Sequence, residues 1–271
     1  MIWLVLAGFF GGILAGLLGI GGGIIYVLIL PYALEGAGVS PEYLAPFTIA
    51  NSIFGVLFAS LATNYLNIRN NDFYLKEALW VGIPGAISAV LILKAIVTQS
   101  WFSVSYFYGI LILFLAYMLI SLFIRKDKKE KERVTENKTF KLSLAGIAGG
   151  SLAATTGLGG GAAAVPILTT QLHMDIKKAR SISLVMIFIT ALTLTVFNFL
   201  ENPVITNLPY QAGYIYFPAA LPVTIGVLAG SPIGSKLGRI WSSGTIRILF
   251  AIFIFIVMVE KSAQLFRLYI G

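Results

Sequence analysis

Bare main-chain amides are the chemistry that this sequence offers most plainly. The stretch GFFGGILAGLLGIGGG over residues 8–23 ends in three adjacent glycines, and GIAGGSLAATTGLGGG over residues 146–161 repeats it. Gly19, Gly21, Gly22 and Gly23 thus recur in order as Gly157, Gly159, Gly160 and Gly161. The chain is an internal duplication. Glycine inside a helix costs roughly 1 kcal/mol relative to alanine, so both clusters read as breaks in a helix. A helix that restarts after such a break presents unpaired N–H groups and the positive end of its dipole, and such ends bind anions. With no Cβ in the way, an oxyanion can reach those donors directly.

Neutral side chains near the clusters extend the same chemistry. Thr155 and Thr156 immediately precede the second cluster, while Thr48, Asn51, Ser52, Ser181, Ser183, Thr190 and Asn198 lie on the apolar segments that follow the two clusters. The expected substrate-binding set is the eight glycines with Thr155, Thr156, Asn51, Ser52, Ser181 and Asn198. The competing reading is structural: hydroxyls and amides inside a helix bundle commonly bond to backbone or to neighbouring helices, and small residues let helices pack closely. Close packing calls for spaced small residues rather than adjacent ones, which favours the break reading for the triple glycines.

The charged residues point the same way. Glu35, Glu42, Asp72, Glu77, Asp127, Glu130, Glu132, Glu136, Asp175, Glu201 and Glu260 all fall in predicted loops or near the ends of apolar segments. Cation pumps and proton relays place ionisable groups inside the membrane, so this distribution disfavours cation transport. With no cysteine, thiol catalysis and disulfides are excluded, and His173 has no partner at metal-ligand spacing. No metal and no cofactor is expected. Arg180 borders an apolar segment, where snorkelling to the headgroups is the expected behaviour.

The elements that must position these groups are membrane helices. Hydrophobic residues make up 58% of the chain and charged ones 11%, against roughly 25% charged in a soluble domain. The apolar runs lack strand alternation and are long enough for helices, so the fold class is an all-α polytopic membrane protein. The formal net charge of +8 does not indicate nucleic acid. Eight basic residues, from Arg125 to Lys141, concentrate in one Glu-interleaved linker, which is an orientation signal. Trp3, Trp80, Trp101 and Trp241 read as interface anchors. No basic residue precedes the first apolar run and no small-residue cleavage site follows it, so it is not read as a signal peptide.

Residues 3–34 would make a helix roughly 48 Å long if unbroken, well beyond a hydrocarbon core of about 30 Å. A hairpin of two half-helices with its tip at Gly19–Gly23 fits better, closed by Pro31 and the acidic loop of Glu35 and Glu42. Spans follow at 44–66, 75–96 and 104–124. The second copy places a hairpin at 142–172 and spans at about 181–200, 213–235 and 246–268. The halves are residues 1–124 and 142–271, with the basic linker 125–141 between them, polar, mobile and cytoplasmic. Counting each hairpin as a return puts that linker on the same face as Lys177, Lys178 and Arg180. Arg69 and Lys76 then lie inside, Glu35 and Glu42 outside. Three crossings per half make the halves two inverted repeats, with tips entering from opposite faces to meet near the midplane. Lys94, Lys261 and Arg267 fall outside in this arrangement, against the charge rule.

The doubled GLLGIGGG and TTGLGGGAAAVP signatures resemble the TauE/SafE family of membrane proteins, also called sulfite exporters. The likeness covers essentially the whole chain outside the linker. Gly161 followed by Pro166 matches the family's pattern, as does the stretch from Ala179 through Ser183; the first half departs from it at Leu28, where the proline would stand, and at Ala45-Pro46. The resemblance implies transport of sulfite, sulfonates such as sulfoacetate, or related sulfur oxyanions across a bacterial inner membrane, with export as the expected direction.

The expected function is therefore secondary transport of a small anionic substrate, one half rocking on the other around the glycine tips. No nucleotide motif appears, so a gradient, the membrane potential or a coupled ion must drive it. Anion export down an inside-negative potential is favourable by about 2.3 kcal/mol per charge per 100 mV. The alternatives are an anion channel built on the same broken-helix filter, and a membrane-embedded enzyme or scaffold. The expected partners are the lipid bilayer and the anion, with a homodimer as an unsurprising assembly. Valine at Gly22 or Gly160 is expected to abolish uptake with folding intact.

Overall fold

The computed structural model describes residues 2–19, 21–99, 101–124, 137–201, 203 and 208–270. Ten helices account for nearly all of them, and six are long and apolar enough to cross a membrane. The protein is an all-α polytopic membrane protein. The expected linker lies largely at 125–136, outside the described residues.

Each glycine cluster breaks a helix and turns it back. In the first copy α1 (Ile2–Leu18) is followed by α2 (Gly23–Gly36), and in the second α6 (Lys138–Thr156) is followed by α7 (Gly161–Thr170). At 14 and 10 residues, α2 and α7 are too short to cross a core of about 30 Å at 1.5 Å per residue. Three glycines in each break hold positive φ: 68°, 92° and 69° at Gly19, Gly21 and Gly22, against 71°, 87° and 74° at Gly157, Gly159 and Gly160. L residues rarely adopt such angles. The duplication read from the letters is thus repeated in the backbone. Pro31 does not close the first hairpin as expected; it lies inside α2, which runs on to Gly36. A proline forfeits only one N–H donor, and the reversal falls instead at Gly38, with φ 91°.

Three longer helices follow each hairpin: α3 (Pro41–Arg69), α4 (Leu75–Ile92) and α5 (Val104–Ile124) in the first copy, α8 (Ile176–Leu200), α9 (Phe217–Ile240) and α10 (Ser243–Ile270) in the second. A π-helical turn, Leu93–Val97, extends α4. Residues 213–216, read from sequence as the start of a span, instead belong to a short hairpin in which β1 (Gln211–Ala212) pairs antiparallel with β2 (Ile215–Tyr216). Gly213 turns it at φ 57°, so the helix begins only at Phe217.

The two copies are interleaved rather than side by side. The most extensive helix packing joins α1 to α9 and α4 to α6, each hairpin against the fourth helix of the other copy. Spaced glycines make this approach: a Cβ on Gly8 would strike the Val223 carbonyl, and one on Gly12 would lie 2.6 Å from that of Val227. The two helices run parallel, because residue numbers rise together along the contact. In contrast, α3 and α8 run antiparallel. The Asn64 amide near the end of α3 donates to Leu184 O at 2.9 Å, and Ser181 at the start of α8 donates to Asp72 O just beyond α3.

One of the basic residues that counted against the topology is accounted for by packing. Lys261, expected toward the outer end of the span 246–268, is fully buried on α10. Its ammonium lies 3.3 Å from Glu260, 2.9 Å from the Gln264 amide oxygen and 4.9 Å from the centre of the Tyr108 ring. A lysine fixed inside the bundle carries no weight as a loop charge. Lys94 sits 5.0 Å over the Phe197 ring.

Candidate functional site at the paired glycine tips

The two breaks meet. A Cβ built on Gly23 would stand 2.6 Å from the Gly157 carbonyl oxygen, and one on Gly21 would lie 3.4 Å from Leu158 O. All eight glycines of the expected set are buried. Gly22 and Gly160 occupy equivalent places at the inner turn of each hairpin, where a Cβ would strike Gly11 O and Gly149 O respectively. Valine at either position would therefore force the hairpin apart, and loss of uptake in such a variant would not isolate a binding role.

No side chain caps α2 or α7 at the break. At the second tip the N–H groups of Gly159, Gly160, Gly161 and Ala162 have no acceptor among the described residues. This is the bare helix start that the triple glycine was expected to make.

One face of α3 and one face of α8 enclose the tips. Along α3, the i, i+4 series Thr48, Ser52 and Val56 shares a face. Ser52 Oγ donates to Gly157 O at 2.8 Å, and Val56 approaches the Gly21 position at 3.1 Å. Along α8, Arg180, Ser183 and Ile187, at i, i+3 and i+7, fall on one face. Arg180 lies 3.1–3.4 Å from the Gly19 position through Nε, Cβ and Cγ, and Ile187 lies 3.6 Å from that of Gly21. Each hairpin tip is thus held by the third helix of the opposite copy.

The remaining expected residues divide between local bonding and more distant places. Thr155 bonds Ser151 O and Leu152 O within its own helix. Thr156 donates to Leu152 O at 2.7 Å and accepts from Leu158 N–H at 3.3 Å, which staples the second break. Asn51 donates to Phe47 O and Tyr214 O and accepts from Tyr216 N–H, clasping α3 to the short β hairpin. Asn198 donates to Leu194 O near the end of α8, and Ser181 sits at that helix's start on Asp72. Of the six expected side chains, only Ser52 and Thr156 bond directly to the residues of a tip.

Two hydroxyls considered in the sequence and one residue misread there are better placed. Thr48 Oγ1 and Ser183 Oγ are fully buried and have no hydrogen-bond partner among the described residues, and both lie on the tip-facing stripes. Arg180 does not snorkel. Its Nη2 donates to Gly16 O at 3.2 Å and to Leu17 O, the last carbonyls of α1, where a cation complements the helix dipole. A basic residue immediately before a hydroxyl-bearing apolar stretch has the same appearance in sequence whether it turns outward or inward. The signal that separates them is the free helix end opposite, which only the fold supplies.

Fold and site together define an integral membrane protein whose two broken helices meet tip to tip inside a helical bundle. The family model for the sulfite exporter TauE/SafE matches residues 3–260, and the chain belongs to that family of membrane transporters. It is 28% identical to a probable membrane transporter protein of Haemophilus influenzae, over 94% of this chain and 96% of that one. A probable membrane transporter protein of Methanocaldococcus jannaschii is 26% identical, over 91% and 89% of the two chains. One from Bacillus subtilis is 25% identical, over 86% and 88%.

Proposed function

We propose that this transporter moves a small sulfur oxyanion, sulfite or a sulfonate such as sulfoacetate, outward across a bacterial inner membrane, with residues 125–141 on the cytoplasmic side. The observation that carries the reading is the meeting of two uncapped helix starts with matching glycine geometry, with bare N–H donors at the second and no carboxylate in either glycine segment. The antiparallel course of α3 and α8, equivalent helices of the two copies, supports an inverted repeat. In the conformation described here the tips are packed against each other, so the substrate must enter a state in which they separate. Because each hairpin is clasped to the fourth helix of the other copy, the moving bodies are a hairpin with its opposite helix rather than residues 1–124 against residues 142–271.

Purified protein in liposomes tests the reading. Labelled sulfite or sulfoacetate is expected to enter saturably and faster than into empty liposomes, and to follow an imposed inside-positive potential. Uptake no greater than in empty liposomes would sink the substrate class. Ionic currents far above a transporter's turnover would establish a channel instead.

A further inference from the structure

Arg180 is a full charge placed where the first hairpin breaks, and its bonding is incomplete. Nη2 holds the Gly16 and Leu17 carbonyls of α1, while Nε is buried, without an acceptor, beside Gly19. One helical turn along the same face of α8, the Ser183 hydroxyl is also buried and unpartnered. Among the described residues no carboxylate forms a salt bridge with Arg180. Two donors one helical turn apart that find no acceptor among the described residues, one of them cationic, are what a bound oxyanion would satisfy.

We propose that Arg180 binds the substrate anion through its guanidinium, with Ser183 as the neighbouring donor, and that the same contact acts as the latch of the first hairpin. The proposal rests on the anion-transport reading above. A guanidinium meets an oxyanion best with two parallel N–H donors, and Nη2 is now held by the end of α1. An arriving oxyanion competes with the Gly16 and Leu17 carbonyls for that group. When it wins, α1 loses the cation at its C-terminus at the point where the chain is already broken, and the tip is released. Occupancy of the site and movement of the hairpin are then one event.

The absence of cysteine from the chain makes the test clean. Leu18→Cys places a single thiol at the last residue of α1, half-buried beside the latch. In the full-length protein, saturating sulfoacetate is expected to raise the rate of maleimide labelling at that thiol several-fold. With Arg180→Gln added, labelling is expected to be fast from the start and indifferent to sulfoacetate. Binding, read as sulfoacetate-dependent thermal stabilisation, is expected to weaken about 10- to 100-fold in Arg180→Gln and to recover partly in Arg180→Lys, which retains the charge without the fork. A single cooperative melt in each ligand-free variant, with a modest fall in Arg180→Gln from the lost latch, is the control for folding. Should Arg180→Gln bind and carry the anion as the parent does, the Arg180 assignment is overturned while the transport reading stands. Should the parent neither bind nor carry sulfoacetate or sulfite, both fall.

Discussion

The two glycine tips share a backbone and differ in what holds them. Their φ angles agree within 5° at each of three equivalent glycines. The second tip is tied by a neutral hydroxyl, Ser52 on α3; the first is tied by a guanidinium, Arg180 on α8. Inside the first hairpin the Tyr26 ring fills the space opposite Gly11, and inside the second Met186 reaches to 2.9 Å from the equivalent position at Gly149. Duplication preserved the turn that only glycine can make and released the side chains around it to diverge. In the proposed latch an anion competes for the charged tie and has little purchase on the neutral one, so the halves, alike in path, would differ in response.

The largest effect is expected where the tips are the same. Gly22→Ala and Gly160→Ala each put a Cβ into a carbonyl at a positive φ, for a combined cost of about 3 kcal/mol or more. Both are expected to lower the melting temperature in detergent to a similar degree. A clear difference between them would break the equivalence. Next come the two fillers. Tyr26→Ala empties a site that is fully buried between Gly11 and Gly55, for about 3–5 kcal/mol, and Met186→Ala removes a smaller, flexible side chain for about 2–4 kcal/mol. The ranking is checked by thermal unfolding. Ser52→Ala leaves the Gly157 carbonyl without its donor and is expected to cost about 1 kcal/mol, with the sulfoacetate response of the first tip unchanged. At the small end, Tyr26→Phe removes a buried hydroxyl that has no partner among the described residues and is expected to raise stability by about 1 kcal/mol. A loss as large as that of Tyr26→Ala would mean that the hydroxyl has a partner in the working protein.

Much of this arrangement was legible in the letters because its causes are local. Adjacent glycines stop a helix wherever they stand, and runs of apolar residues of bilayer length declare themselves, so the two hairpins and six longer helices follow from the sequence. Which residues face the tips did not follow. Asn51 and Ser52 are neighbours, yet one clasps Tyr214 and the other reaches Gly157, because a helix turns successive side chains about 100° apart and the opposing surface is set by the other copy. Lys261 looked like an outside charge because its tyrosine and carboxylate partners, on α2, α5 and its own helix, come together only in the fold. The two-residue pairing at Gln211–Ala212 has too little length to show a strand pattern. Pro31 was read as a stop where it costs a single donor.

The pairing of α1 with α9 has a consequence for how the chain is made. Gly8 and Gly12 find their neighbours at Val223 and Val227, more than 200 positions later, so α1 leaves the ribosome long before the helix it packs against and must wait for its final place. Until α9 is synthesised, the small-residue face of α1 has only lipid or a borrowed surface against it. Insertion is therefore not the stepwise completion of one half and then the other; it ends with a late closure that threads the two together.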